Sequence, residues 1–215
     1  GGSTSKNSAA NGDFVFNFDN SIVDFTAEFK VVASTVAGLN PPFKLNVADS
    51  VFTVARNFVL EHVNTTAVFD NSIINANANF KNCGLTTLVD GTVMTVKSNS
   101  DGPARGNTGN FGTLSITSGS VFDITSGTVA VADAFYNAGT VEVKTNGTFK
   151  TTYFNNLNSI VVDGTSTFIA KEILGEGTIT IDAANFAGGV FKVIDLSGNA
   201  SIEDMVTVEN LAAGV

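Results

Sequence analysis

One histidine, one cysteine and twenty carboxylates are the groups through which this chain could do chemistry. His62, in VLEHVN, is the only base from which a Ser-His-Asp triad could be built. A lone histidine beside a strand end is expected at the surface, and a single histidine cannot form a histidine-based metal cluster. Cys83 has no second cysteine to pair with. It reads as a small buried or turn residue.

Carboxylates are the stronger candidates, because polysaccharide hydrolysis needs two carboxyl groups close together. Asp163 and Asp182 lie nineteen residues apart and are expected to stack in adjacent repeats. Each follows a strand at a turn, where aspartate commonly hydrogen-bonds backbone, so a structural role is expected. A sugar-processing cleft also calls for aromatic platforms and basic groups. Tryptophan is absent, and only Tyr136 and Tyr153 could stack on a sugar from the surface. The only arginines, Arg56 and Arg105, lie outside the regular repeats. We therefore expect no enzyme, no catalytic residue and no cofactor. Oxygen-rich positions for calcium occur at Asp70, Asn71 and Asp101, but without the spacing of an EF-hand or of a glycine-aspartate nonapeptide repeat. An ice-binding array needs a threonine pair in every coil. Thr-x-Thr occurs at Thr165–Thr167 and Thr178–Thr180, but not as a column. The candidate binding residues are Asp101 and Arg105, on the polar stretch 99–110 (NSDGPARGNTGN), with Tyr136 and Tyr153.

What positions these residues is a repeat. From Thr140 the chain reads TVEVKTNGTFKTTYFNNLN, from Ser159 SIVVDGTSTFIAKEILGEG, and from Thr178 TITIDAANFAGGVFKVIDLSGN. Val141, Ile160 and Ile179 form one column, and Val143, Val162 and Ile181 a second. Phe149 and Phe168 form a third, which Phe186 joins after a one-residue slip. Phe135, Phe154 and Ile173 form a fourth. Upstream, Ile116 matches Val143 and Phe122 matches Phe149, with eight residues inserted before Phe135. Insertions of this kind map to loops on one face of a repeat array.

Alternating apolar residues in each block signal strands with one inward face, and the β-branched and phenylalanine content agrees. No long amphipathic helical stretch intervenes. A chain of strand repeats without crossover helices can coil, adding one strand per sheet at each turn. These patterns predict an all-β chain, a parallel β-helix (β-solenoid) of about 19–22 residues per coil. About ten coils would form a rod roughly 45–50 Å long. Eighteen phenylalanines fit such an interior, because the ring has no polar atom to satisfy. We divide the chain into a disordered polar lead (1–12), an amino-terminal cap or irregular first coils (13–46) and the solenoid (47–215). The whole is expected to be a fragment of a longer protein.

Composition narrows the partners. The chain of 215 residues has 43% hydrophobic residues and only 14% charged ones, with a net charge of −9. Its mean hydropathy is +0.23. Eleven basic against twenty acidic residues argue against nucleic acid, which needs clustered Lys and Arg, and equally against an anionic membrane. No apolar run is long enough to span a bilayer, so this segment is expected not to insert in a membrane. Acceptor-type sequons occur at Asn64, Asn146 and Asn199.

The phrases NAGTVEV, NSIVVDGTSTFIA and GEGTITID, and the coil-closing VFKVIDLSG, resemble the β-helical passenger regions of bacterial autotransporters and filamentous-haemagglutinin-like adhesins. The resemblance is one of pattern and covers about Val47 to Gly198. It implies a right-handed parallel β-helix, secreted or held on a bacterial outer surface. Such a protein would act as an adhesin or scaffold that engages a host or neighbouring-cell protein or glycan. A carbohydrate-binding or carbohydrate-active β-helix is the alternative expectation.

Overall fold

A computed structural model describes residues 14–32, 41–96, 109–110, 113–117, 119–124, 135–182, 188–195 and 206–209. The described residues form strands and turns only, so none of them belongs to a helix able to cross a membrane. The first coil is β1 (Phe14–Asp19), β2 (Ile22–Phe25) and β3 (Phe29–Val31). The second is β4 (Phe43–Ala48), β5 (Val51–Val54) and β6 (Phe58–Leu60), and the third is β7 (Thr65–Asp70), β8 (Ile73–Ala76) and β9 (Phe80–Asn82). Next come β10 (Leu85–Val89), β11 (Val93–Val96) and β12 (Gly109–Asn110), then β13 (Thr113–Ile116), β14 (Val121–Ile124) and β15 (Phe135–Asn137). From the sixth coil the second and third strands fuse: β16 (Thr140–Val143) with β17 (Thr148–Asn156), β18 (Ser159–Asp163) with β19 (Thr167–Leu174), and β20 (Thr178–Asp182) with β21 (Val190–Asp195). The strand β22 (Val206–Glu209) opens a ninth coil.

All pairing is parallel. The first strands of the coils form a nine-stranded sheet, β1-β4-β7-β10-β13-β16-β18-β20-β22, and a thirteen-stranded sheet wraps the other two flanks. The chain is therefore a parallel β-helix, the fold expected from the repeats. Its register carries the expected columns: Val141–Ile160–Ile179, Val143–Val162–Ile181 and Phe135–Phe154–Ile173. One column needs correction. Phe168 pairs with Phe191, not Phe186, and the two rings stack at 5.1 Å. The corner before β21 is Gly188–Gly189, so Val190–Phe191 repeats Thr167–Phe168 and the extra residues fall before it.

The parallel frame starts at Phe14, where Phe14 to Asp19 pair with Phe43 to Ala48, inside the segment 13–46 expected as a cap or irregular first coils. Paired residues are 29 apart between the first two coils (Phe14 and Phe43), 28 between the fourth and fifth (Leu85 and Thr113), and 19 between the sixth and seventh (Thr140 and Ser159). Variable connections, not variable strands, account for the spread.

The core is a continuous apolar column. Phe52, Ile74, Met94, Phe122, Phe149 and Phe168 are buried one above another. In the later coils the rings lie parallel: Phe149 and Phe168 are 5.4 Å apart with 3° between planes. In the early coils the rings meet edge to face, as Phe29 and Phe58 do at 83°. Offset-stacked and edge-to-face arrangements both suit the ring quadrupole.

In the first four coils the first corner combines a left-handed residue with a hydroxyl one or two positions on. Asn20, Asp49, Asn71 and Asp90 have φ of 46°, 48°, 43° and 50°, a conformation that Asn and Asp tolerate better than other side-chain-bearing residues. The hydroxyls then form a ladder. Ser21 N donates to Ser50 Oγ at 2.9 Å, Ser50 N to Ser72 Oγ at 3.0 Å, and Ser72 N to Thr92 Oγ1 at 3.1 Å. Each rung thus gives its buried corner amide to the hydroxyl of the next, which removes the cost of an unpaired donor.

Candidate functional surface

The polar residues of the interior are used for structure, and this separates them from any site. At the third corner the register places Asn82, Asn110, Asn137 and Asn156 in one column. Asn137 Nδ2 donates to Asn156 Oδ1 at 2.8 Å and to the Ser159 carbonyl at 3.0 Å, and Asn156 Nδ2 donates to the Thr178 carbonyl at 3.1 Å. Beside this ladder Gly84 packs so tightly on Thr65 that a Cβ would collide with the Thr65 carbonyl. Sequence reasoning missed the ladder. Its signal was present as Phe-x-Asn-x-Gly in FKNCG (80–84) and FYNAG (135–139).

His62 overturns an expectation. It is buried, not at the surface. Burial alternates along the segment, with Phe58, Leu60 and His62 inward and Val59 and Glu61 partly exposed. The histidine is thus the next inward residue after β6. Its Nδ1 accepts the Asn64 amide at 3.0 Å, so the ring proton sits on Nε2, which is buried without a partner among the described residues. Buried and turned inward, this ring is poorly placed to serve as a general base. Cys83 sits half-buried in the turn after β9, and its amide donates to the Leu60 carbonyl at 2.8 Å. Burial pushes its thiol above the ordinary value, and Glu61 adds to this against the opposing charge of Lys81. That disfavours the thiolate a nucleophile needs.

Asp163 and Asp182 pair across adjacent rungs, as the 19-residue spacing predicts. Burial alone would raise the Asp163 carboxyl. The Thr145 amide, the hydroxyls of Ser166 and Thr165 and the Thr165 amide outweigh burial and hold it below its ordinary value. These bonds are short, 2.7 Å from Thr145 N and 2.7 Å from Ser166 Oγ. The carboxylate is a corner clamp, the structural role its position suggests.

A second group of carboxylates gathers at the same corner of earlier coils. Burial, then Asp90 and Asp49, push Asp70 above its ordinary value. Asn71 Nδ2 donates to Asp49 Oδ1 at 2.6 Å. Among the described residues no set of three His, Cys, Asp or Glu is arranged to hold a metal ion. On the third flank Glu61 lies between Lys81 at 3.0 Å and Lys30 at 3.6 Å. The hydrogen bond from Lys81 holds Glu61 below its ordinary value despite partial burial.

Asp101 and Arg105 lie outside the described residues, as does the stretch 126–133. Tyr136 and Tyr153 lie on β15 and β17, which pair directly; Tyr136 pairs with Asn155, and Tyr153 with Glu172. The topology therefore sets the two tyrosines on neighbouring rungs of the third flank. Segments 97–108 and 125–134 both join the second to the third strand, in the fourth and fifth coils respectively. Their ends are consecutive rungs, β11 on β14 and β12 on β15.

No family model, no curated protein and no solved structure matches the chain. The parallel β-helix is thus defined by its own register, and its function has to be argued from its surface.

Proposed function

We propose that the chain is a non-enzymatic, secreted or cell-surface scaffold: a stiff β-helical rod that presents two insertions to a protein or glycan on a neighbouring surface. One observation carries the reading. Segments 97–108 and 125–134 leave consecutive coils at one corner, while the strands on both sides of each stay in register. The fold does not need their length, because the third coil turns the same corner with 77–79 alone. Long connections on a rigid frame are where binding residues concentrate. Eight steps of about 4.8 Å give a rod on the order of 38 Å, filled by an unbroken buried core from Val31 to Ile179. The resemblance of the repeats to bacterial surface adhesins supports the same location.

A glycan partner is favoured by one placement. Tyr136 lies in the strand that follows 125–134, and Tyr153 lies one rung further along the same flank. Aromatic rings there would supply the stacking platforms a sugar needs.

The test replaces 97–108 and 125–134, singly and together, with the short corner of the third coil. Circular dichroism and thermal melting should show the β-helix retained. Binding to target cells and on a glycan array should be lost, with no reducing sugar released by any form. Undiminished binding after both replacements would overturn the reading, as would turnover of a polysaccharide.

A further inference from the structure

The second flank carries an outward apolar stripe. Ile22, Val51, Ile73, Val93 and Val121 occupy one column, and Thr148 and Thr167 extend it to Val190. Ile22 is 81% exposed, Ile73 50%, Val93 39% and Val190 44%. Single exposed aliphatics are ordinary on a protein surface. Here β-branched residues line up over eight rungs, about 34 Å at seven steps of roughly 4.8 Å. The column two residues along is polar except for Ile169 on the seventh rung. Its end charges are opposite: Asp24 stands on the first rung and Lys192 on the eighth, while Asp123 and Lys150 are register partners on the fifth and sixth.

We propose that this flank docks on the same flank of a second copy, rods antiparallel, about a two-fold axis running along the strands. That operation keeps each column over its own kind. Ile22 then faces Val190 of the other copy and Val93 faces Val121, while Val51 faces Thr167 and Ile73 faces Thr148, so β-branched side chains meet along the whole column. In the second column Asp24 faces Lys192 at both ends, Thr53 faces Ile169, Asn75 faces Lys150, and Thr95 faces Asp123. The other face-to-face choice has its axis along the rod. Centred between the columns, it would press Ile22 against Asp24 and bury a carboxylate on a hydrocarbon surface; centred on the apolar column, it would set each rung on itself and bring no opposite charges together. The match of Asp24 with Lys192 selects the antiparallel pair and supplies its register.

The size of the contact sets its strength. Seven steps of about 4.8 Å by a four-residue strand of about 13 Å give roughly 450 Å² per copy, or about 900 Å² in all. That falls among weak, reversible interfaces, so dissociation in the range of roughly 10–100 µM is expected. An isologous contact closes on itself and stops at the dimer.

Sedimentation velocity of the 215-residue chain from about 1 to 300 µM should show a monomer–dimer equilibrium that saturates at twice the chain mass. Zero-length carbodiimide coupling of mixed ¹⁴N and ¹⁵N chains should yield a mixed-isotope peptide joining Asp24 to Lys192. Within one chain those residues are seven rungs apart and cannot be joined. Ile73→Asp with Val93→Asp should abolish the dimer. Asp24→Lys should weaken it at least threefold, and Asp24→Lys with Lys192→Asp should restore it. All four positions face outward, and circular dichroism verifies that the variants fold. A mass that stays at the monomer throughout would overturn the proposal. So would association that climbs past the dimer, which would signal end-to-end stacking, or association that survives Ile73→Asp with Val93→Asp.

Discussion

Replacing Asn137 with alanine tests whether the asparagine ladder holds the third corner together. The side chain's bonds include Nδ2 to Asn156 Oδ1 at 2.8 Å, Nδ2 to the Ser159 carbonyl at 3.0 Å, and Oδ1 from the Gly139 amide at 3.3 Å. Asn137, Gly139 and Asn156 are all buried. Each bond contributes about 1 kcal/mol net, and a buried group left without its partner costs about 1–3 kcal/mol. Weighting the long third bond lightly gives a loss of about 3 kcal/mol. With a urea m-value of about 2 kcal/mol/M, the midpoint should fall by roughly 1.5 M. Asn158→Ala is the control. Its side chain is exposed and makes one bond, to the Ala138 carbonyl at 3.1 Å, and should cost under about 1 kcal/mol. Unfolding is followed by far-ultraviolet circular dichroism, since the chain has no tryptophan. Asn137→Asp separates hydrogen bonding from volume. It keeps the shape but turns a carboxylate toward two acceptors, so it should be worse than alanine at pH 7 and recover part of the loss in acid. If Asn137→Ala falls within 1 kcal/mol of Asn158→Ala, the ladder is decoration and the corner is held by backbone pairing alone.

Three further outcomes follow from the same geometry. Phe168 is fully buried between Phe149 at 5.4 Å and Phe191 at 5.1 Å. Phe168→Ala should cost about 3–5 kcal/mol in urea unfolding, and Phe168→Leu distinctly less. Asp163, held below its ordinary value, contributes stability above its unfolded pKa and loses it as pH falls through the folded pKa. Asp163→Asn should therefore cost about 1 kcal/mol at pH 7, allowing for solvent screening, and a vanishing amount in strong acid, read from paired melts. Asp70 is shifted the opposite way, so its folded form loses stability as pH rises from the unfolded value through the raised one. Asp90→Asn should stabilise by a few tenths of a kcal/mol at neutral pH, with the gain fading in acid and in high salt.

The later coils were legible because their length is constant. With nineteen residues from Thr140 to Ser159 and again to Thr178, like side chains fall in line on inspection. The early coils obey the same rules, but connections of different length hide them. Two recurring phrases survive that shift. VFNFDNSI (15–22) and AVFDNSII (67–74) both write the first corner as a strand, a left-handed Asn and a ladder serine. His62 was misplaced because its type was weighed above its position. Counting by two from Phe58 puts it inside. Phe186 was misplaced because a one-residue slip looked cheaper than four added residues. The glycine pair at 188–189 marks where the corner lies. Asp101 and Arg105 rested on composition alone, and they lie outside the described residues.

These comparisons point to where selection for function can act. Inward positions answer to the rung above and below: phenylalanine to phenylalanine, asparagine to asparagine, corner amide to hydroxyl. A change there is felt by two neighbours at once. Outward positions are tied to their neighbours only by surface pairs such as Glu61 with Lys81 and Asn71 with Asp49, so an order that spans the whole rod needs a separate cause. β-propensity alone accounts for valine and isoleucine on the second flank. Attraction across neighbouring strands accounts for Asp123 beside Lys150. Neither accounts for Asp24 on the first rung and Lys192 on the eighth, which are seven strands apart and cannot interact within one rod. Those two end charges match a second rod turned end for end.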